Sequence, residues 1–279
     1  AVVLTNAQLI RDLKKAIQTI EDLFYAFIRS IATAIDKKSP YTGGHINRMV
    51  DLTMMIAKKI NETDEPPFKD HHFEEDELEE LRMAAWMHDV GKITTPDYVL
   101  DKRTKLQTIF DRIEFIETRF QLIAKTFENE HLHRKIERLQ NGKDLPEGLE
   151  AELTDKLETF REEFEFIKSC NNTGDFMSDE KMECVKKIAA KTYCSANGDI
   201  PYLTDDEVEN LCIRKGTLND EERRSIENHA SMTYQILCEL PFPKSLKNVP
   251  KYASAHHEKL DGSGYPLGLS GEELPLQAR

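Results

Sequence analysis

Apolar residues near the start of the chain recur at helical spacing, as Leu9, Leu13, Ile17, Ile20, Phe24, Phe27, Ile28 and Ile31, with charges between them. Residues 4–35 contain no Gly or Pro, so one long amphipathic helix is expected there. Its length suits a connector that pairs with a partner helix, such as a second copy of the chain, and relays a signal from an upstream domain; a plain packing helix fits the pattern equally. Ser39-Pro-Tyr-Thr-Gly-Gly44 breaks this helix, and His45 opens the next, which runs to about Ile60. A loop containing Pro66-Pro67 follows. The acidic run from Glu74 to Glu80 then starts a helix, at the positive end of its dipole, on which Leu78, Leu81, Ala85 and His88 share a face.

Beyond Lys92 the pattern changes. Thr94-Thr95-Pro96 is a turn, residues 98–106 form a short segment, and residues 107–169 hold two long charged amphipathic helices. Asn141-Gly142 and the stretch from Pro146 to Gly148 separate them, which predicts an antiparallel helical hairpin. Residues 171–214 are less regular, with one short helix near 180–190 and turns at Asn197-Gly198 and Pro201. Asn219 caps the next helix, and Glu222 completes a capping box. Ile226, His229, Thr233, Ile236 and Leu240 form its stripe; Pro241 and Pro243 end it. Pro250 opens a short helix that carries His256-His257 at its end, and Asp261-Gly-Ser-Gly-Tyr-Pro266 is a tight turn. With no internal repeat and almost no period-two pattern, the expected fold is all-α.

The 279 residues, 39% hydrophobic and 32% charged, describe a globular chain able to bury a substantial core. A net charge of −13 argues against a general binder of nucleic-acid polymers or anionic membranes, so a phosphate substrate would need local positive charge. No apolar run approaches the ~20 residues of a spanning helix, and no basic-then-apolar leader is present, so a cytoplasmic location without a membrane span is expected. Cys170, Cys184, Cys194, Cys212 and Cys238 are scattered and read as reduced thiols. The chain opens without Met and stops at Arg279 in mid-pattern, which reads as a fragment of something longer.

His71, His72, His131 and His133 lie among charges and read as solvated surface residues. The other histidines matter as a set: His45, His88 with Asp89, His229, and His256-His257 all fall at or on inward stripes of separate helices. Bundle-type metal sites are built in this way. Imidazole and carboxylate suit Fe, Mn, Zn and Ni, one carboxylate can bridge two ions, and no thiolate is offered for a structural zinc. Two ions held about 3.5–4 Å apart would serve an in-line phosphoryl displacement, with Lys92 adding charge at the phosphate oxygens. A helix-terminal surface cation is the plain alternative for Lys92.

His88-Asp89-Val-Gly-Lys92 resembles the HD-x-G-K signature of the HD superfamily of metal-dependent phosphohydrolases, and His256-His257-Glu-Lys-Leu-Asp-Gly-Ser-Gly-Tyr-Pro266 resembles the HHExxDGxGYP signature of its HD-GYP subgroup. Tyr41-Thr-Gly-Gly-His45 and Glu227-Asn-His229 are similar to flanking elements of that family. The resemblance spans about residues 20–106 and 214–279. It implies a bacterial cyclic di-GMP phosphodiesterase that yields linear pGpG and then GMP, with an HD-type helical bundle. The implied ligands are His45, His88, Asp89, His229, His256 and His257, with Asp89 bridging and Lys92 facing phosphate. The implied cofactors are two divalent ions, Fe or Mn before Zn, Ni or Mg. Asp261, Gly262, Gly264, Tyr265 and Pro266 become a substrate-side loop that also docks diguanylate cyclase domains, although a rigid turn explains each of them individually.

Three departures from the family qualify this picture. Tyr41 stands where three-metal members carry Glu, and its phenol is a poor ligand at neutral pH, so two ions rather than three are expected. The family continues past the position of Arg279 into a helix with a further Asp ligand, so the site in this stretch is expected to be incomplete. Residues 107–213 are an insertion that compact members lack. The resulting domain reading is a connector helix over 1–38, the HD-GYP domain over 39–106 and 214–279, and a mostly helical insertion over 107–213. A catalytically impaired nucleotide-binding or docking module, a phosphohydrolase for another nucleotide, and a purely structural bundle are the competing expectations.

Overall fold

The computed structural model describes residues 2–38, 44–172, 174, 176–195 and 198–279, and the side chains of these except at 2–5 and 195. Tyr41, with the turn around it, lies outside the described residues. The chain divides into two compact units, residues 1–100 with 224–279, and residues 101–223.

The first unit contains α1 (Val2–Asp36), α2 (His45–Asn61), α3 (Glu75–Met87), α4 (Asp97–Leu100), the later turns of α9 (Asp220–Cys238) and α10 (Val249–Ser254). A capping box starts α3, with the Glu74 N–H donating to Glu77 Oε2 at 3.0 Å. Its apolar face buries Met83, Ala84 and Met87 against Ile28 and Ile35 of α1, Leu237 of α9, and Val249 and Ala253 of α10. Ile46, Val50 and Met54 of α2 pack with Ala32 in a neighbouring group. Trp86, the single tryptophan, packs against both groups, and the Arg29 guanidinium carbon lies 5.8 Å from its ring centroid. Buried Glu80 fastens α10 to α3 by accepting from Asn248 N at 2.6 Å and Asn248 Nδ2 at 3.1 Å. Along α1, residues 6–23 are exposed on every side, including the apolar Leu9, Leu13, Ile20 and Leu23.

The second unit forms the expected helical hairpin from α5 (Ile113–Gln140) and α6 (Leu149–Asn171), joined by α7 (Asp179–Ala189) and α8 (Asp205–Leu211). Ile116, Phe120, Ile123, Phe160, Phe164, Ile167, Tyr202 and Leu211 fill its core. Lys102, its ammonium stem fully buried, meets Glu222 Oε2 at 2.7 Å and Asn210 Oδ1 at 3.2 Å, so its charge is paired and hydrogen-bonded. Glu222 also closes the expected capping box, accepting from Asn219 N at 3.0 Å while Asn219 Oδ1 accepts from Glu222 N at 2.9 Å.

Two details of this unit differ from the sequence expectation. An antiparallel hairpin forms from β1 (Thr192–Ser195) and β2 (Gly198–Pro201), with Tyr193 opposite Ile200. Strands of four residues are too short for a period-two pattern to stand out. His131, expected at the surface, is 1% exposed. It lies one helical turn beyond Phe127 on the inward face of α5, so helical phase decides its burial, not the charge of its sequence neighbours.

Candidate metal centre

The chain leaves the regular helix after Met87: His88 keeps helical angles (φ −55°, ψ −33°), Asp89 departs from them (φ −102°, ψ 8°), and a short 3-10 turn, Val90–Thr94, follows. This bend lets two sequence neighbours face one point, with His88 Nε2 3.1 Å from Asp89 Oδ2. Lys92, on the same turn, places Nζ 2.7 Å from that oxygen. The other carboxylate oxygen, Oδ1, lies 3.4 Å from His229 Nε2 and 3.7 Å from His256 Nε2. Asp89 thus divides its two oxygens between two sets of imidazoles.

Those imidazoles come from three further places in the first unit. His45 is the first residue of α2, with its ring centroid 6.0 Å from that of His88. His229 lies on the buried stripe of α9, and His256 and His257 come just after Ala255, the C-cap of α10. His45, His88 and Asp89 offer ligand atoms that all lie within 4.8 Å of one another, and so do His229, His256 and His257. All of the metal-capable residues singled out in the sequence therefore come together.

The donor set fits a divalent cation. His88 Nδ1 bonds Ala85 O at 2.8 Å, His229 Nδ1 bonds Ile226 O at 2.5 Å, and His256 Nδ1 bonds Ala253 O at 2.7 Å. A carbonyl only accepts, so each ring must carry its proton on Nδ1, and in the neutral ring Nε2 is left as a lone pair. His229 Nε2 and His256 Nε2 nevertheless sit 3.2 Å apart. Two lone pairs at that distance repel unless a cation or a proton lies between them. Outer hydrogen bonds of this kind are how proteins orient metal-binding histidines.

The electrostatics favour a ligating state. Burial and the neighbouring His88 and His257 push the His256 imidazole down to about 3, and burial with His229 pushes His257 down to about 4. Both rings therefore keep their lone pairs at neutral pH. Burial would raise the Asp89 carboxyl, but the His229 and His88 rings, which donate to it from Nε2 only when doubly protonated, and the charges of His88 and Lys92 hold it far below the usual carboxylate range. For His88, burial alone would lower the pKa, yet the hydrogen bond and charge of Asp89 win and raise it.

Residues outside the motifs hold this geometry. Gly91 N–H donates to Thr233 Oγ1 at 3.0 Å, and the same hydroxyl donates to His88 O at 3.0 Å, tying the turn to α9 one helical turn after His229. Thr233 was legible only as an apolar-stripe position, because a buried threonine looks like a small core residue until both of its partners are known. Thr233→Val, close in shape, strands a buried N–H and a buried C=O; a loss of about 2 kcal/mol is expected in a denaturant titration, with weaker metal binding.

The glycine-rich turn is a scaffold around His257. Glu258, directly after the paired histidines, accepts from Leu267 N at 2.7 Å and Leu269 N at 2.9 Å, closing the loop on itself. Asp261 Oδ1 accepts from Ser263 N at 2.9 Å, and Gly262 adopts φ 74°. A Cβ on Gly264 would lie 2.4 Å from Lys259 N, so only glycine allows that backbone approach. Tyr265 stacks on His257 with ring centroids 4.6 Å apart, and burial raises its phenol to about 12. Pro266 follows through a cis peptide bond. A cleft of about 520 Å³ opens beside the centre, with His45, His88, Asp89, Lys92, His256 and His257 and the apolar Met49, Ile56 and Leu276 among its lining residues. Asp261, Gly262, Gly264, Tyr265 and Pro266 do not line it.

Comparison with known proteins agrees with this centre. Two family models, both described as HD domain, match residues 42–159 and 203–279. The chain is 46% identical over 74 residues to a 3'3'-cGAMP-specific phosphodiesterase 3 of Vibrio cholerae serotype O1, covering 26% of this chain and 15% of that protein. It is 41% identical over 81 residues to a protein of the same organism named "Probable cyclic di-GMP phosphodiesterase", covering 25% and 17%. To the cyclic di-GMP phosphodiesterase response regulator RpfG of Xanthomonas campestris it is 34% identical over 71 residues, covering 25% and 18%. The matched stretch spans less than a fifth of the length of each of these relatives. The two matches, which together take in residues 42–159 and 203–279 and each carry a share of the converged histidines, make the chain a member of the HD superfamily.

Proposed function

We propose that the chain is a metal-dependent phosphodiesterase that opens a cyclic dinucleotide, cyclic di-GMP foremost, to linear pGpG and onward to GMP. The division of the Asp89 oxygens between two groups of imidazoles carries this reading. In it His45, His88 and Asp89 hold one divalent ion, and His229, His256 and His257 hold a second that Asp89 shares. Imidazole and carboxylate without thiolate favour Fe or Mn. When bound, such ions acidify a water and neutralise charge on phosphoryl oxygens.

The chain's own groups supply the rest. Lys92 lines the cleft, as does Arg279, and can turn its ammonium from Asp89 toward a phosphate oxygen, supplying local positive charge to an acidic chain. Asp89 stays ionised, and burial keeps competing protons off His256 and His257. The cleft falls within the roughly 300–1,000 Å³ usual for small-ligand sites. We extend the proposal to pairing of two copies along α1, supported by the exposed stripe of Leu9, Leu13, Ile20 and Leu23.

A relative specific for 3'3'-cGAMP favours that dinucleotide as the second reading. Full-length protein containing this chain, purified anaerobically and loaded with Mn²⁺ or Fe²⁺, should convert one of the two dinucleotides to a linear product on an ion-exchange column. Intact cyclic di-GMP and 3'3'-cGAMP after stoichiometric loading would overturn hydrolysis. Tight calorimetric binding without product would then identify a binding module.

A further inference from the structure

We propose that Lys38 is a positioning residue that fixes the turn carrying Lys92, and that with Asp36 it couples the end of α1 to two segments that supply the metal centre. The consequence for catalysis rests on the phosphodiesterase reading; the mechanical role does not. Lys38 lies two residues past α1, and its Nζ reaches Lys92 O at 3.0 Å, Ile93 O at 3.2 Å and Thr95 O at 2.5 Å, with Asp97 Oδ1 at 3.4 Å. An ammonium has three donors and no acceptor, so three carbonyls use it completely.

The arrangement looks back to front for a surface lysine. Three carbonyl dipoles of one short segment converge on a point, and without a cation there they would repel one another and splay apart. The segment is a short 3-10 turn flanked by Lys92 N to Asp89 O at 2.9 Å, Thr95 N to Lys92 O at 3.1 Å, and Thr94 Oγ1 to Gly91 O at 2.8 Å. Short 3-10 turns have poorer hydrogen-bond geometry than α-helices, so an external grip matters more here. The same turn sets the backbone from which Lys92 reaches Asp89.

Asp36 grips the segment that brings in His45. Its Oδ2 accepts from Gly44 N at 2.7 Å, and Gly44 immediately precedes His45. Two residues at one end of α1 therefore hold the segments that bring His45 and Lys92 to the centre. A shift of α1 along or about its axis would move both segments.

The test uses the full chain with Lys38→Met and Lys38→Arg. Amide hydrogen exchange across residues 91–95 is compared with exchange in α3, beside Mn²⁺ affinity and steady-state hydrolysis. In Lys38→Met we expect about tenfold faster exchange confined to the turn, and about tenfold lower kcat with KM and Mn²⁺ affinity within about twofold. Lys38→Arg, which keeps charge and donors, should recover most of both losses. Unchanged protection of the turn in Lys38→Met overturns the proposal. So does equal loss of activity in the two variants, or faster exchange without any change in the turnover of an active chain. If the unsubstituted chain hydrolyses no substrate, the phosphodiesterase reading fails while the exchange readout still decides the role of Lys38. If Lys38→Met melts the first unit, wild-type protection of the turn in Lys38→Arg supports the proposal, and protection lost in that folded variant overturns it.

Discussion

Asp89→Asn is expected to lower turnover of the chain's phosphodiester substrate by about three orders of magnitude or more, to abolish binding of a second divalent ion, and to leave the fold in place. Asn matches Asp in shape, so the bend after Met87 should persist. What disappears is the negative charge and one of two acceptor oxygens, and those oxygens face different histidines, 3.1 Å from His88 Nε2 on one side and 3.4 Å from His229 Nε2 on the other. An amide can present an oxygen to one side only, and its NH₂ would confront the Nε2 lone pairs on the other. Two cations packed into a small volume would also lose their shared counter-charge. A deficit of about 4 kcal/mol in transition-state stabilisation corresponds to the loss expected. Lys92 keeps a partly exposed side chain and can turn to solvent, so little stability should be lost. Elemental analysis of the purified variant, its kcat/KM and a circular-dichroism melt check the three parts. Two bound ions with full turnover would contradict the role given to Asp89.

Gly91→Ala should be the most destabilising single methyl in the first unit. A Cβ at this position would lie 1.9 Å from His229 O, 2.6 Å from Thr233 N and 2.8 Å from Thr233 Oγ1. Two of these atoms are backbone of α9, so no side-chain rotation relieves the overlap; the helix itself must retreat. Overpacking of this severity costs about 3 kcal/mol or more, which for a unit of this size lowers the melting temperature by about 10 °C. The retreat would also carry His229 away from Asp89 and break the two hydrogen bonds of the Thr233 hydroxyl. Metal titration should accordingly show weaker binding in whatever fraction stays folded. An unshifted melt would mean that α9 does not rest on this turn.

These two residues also mark how much was legible in the sequence. The motif glycine stood out beside His88 and Asp89, yet its reason, the backbone of α9 pressed against the turn, is a contact between residues 142 positions apart that no local pattern encodes. Histidines on separate stripes were recognisable because each helix had a clear period, and the stripes converge as bundle packing requires. Polar residues that orient the ligands were harder to find. Glu80 falls on the same face as Ala84 and Met87, so its phase hinted at burial, but among consecutive acids it reads as a solvated residue. Lys38 follows the helix end among turn formers and gives no sign of the three carbonyls it meets. The β1–β2 hairpin and buried His131 escaped for related reasons, since four-residue strands carry little periodicity and a charged neighbourhood hides an inward phase. Patterns report which face of an element turns inward; they are silent on what the opposing element presents there.

The single tryptophan gives the molecule an intrinsic optical probe. Trp86 packs on the same side of α3 as α1, and the Arg29 cation on its ring comes from α1 itself. Indole emission responds to nearby charge and to water, so its wavelength and quenching report the seating of α1 without any label. Movement of the helix whose end carries Asp36 and Lys38 would be readable in a cuvette, in real time, as a change of colour.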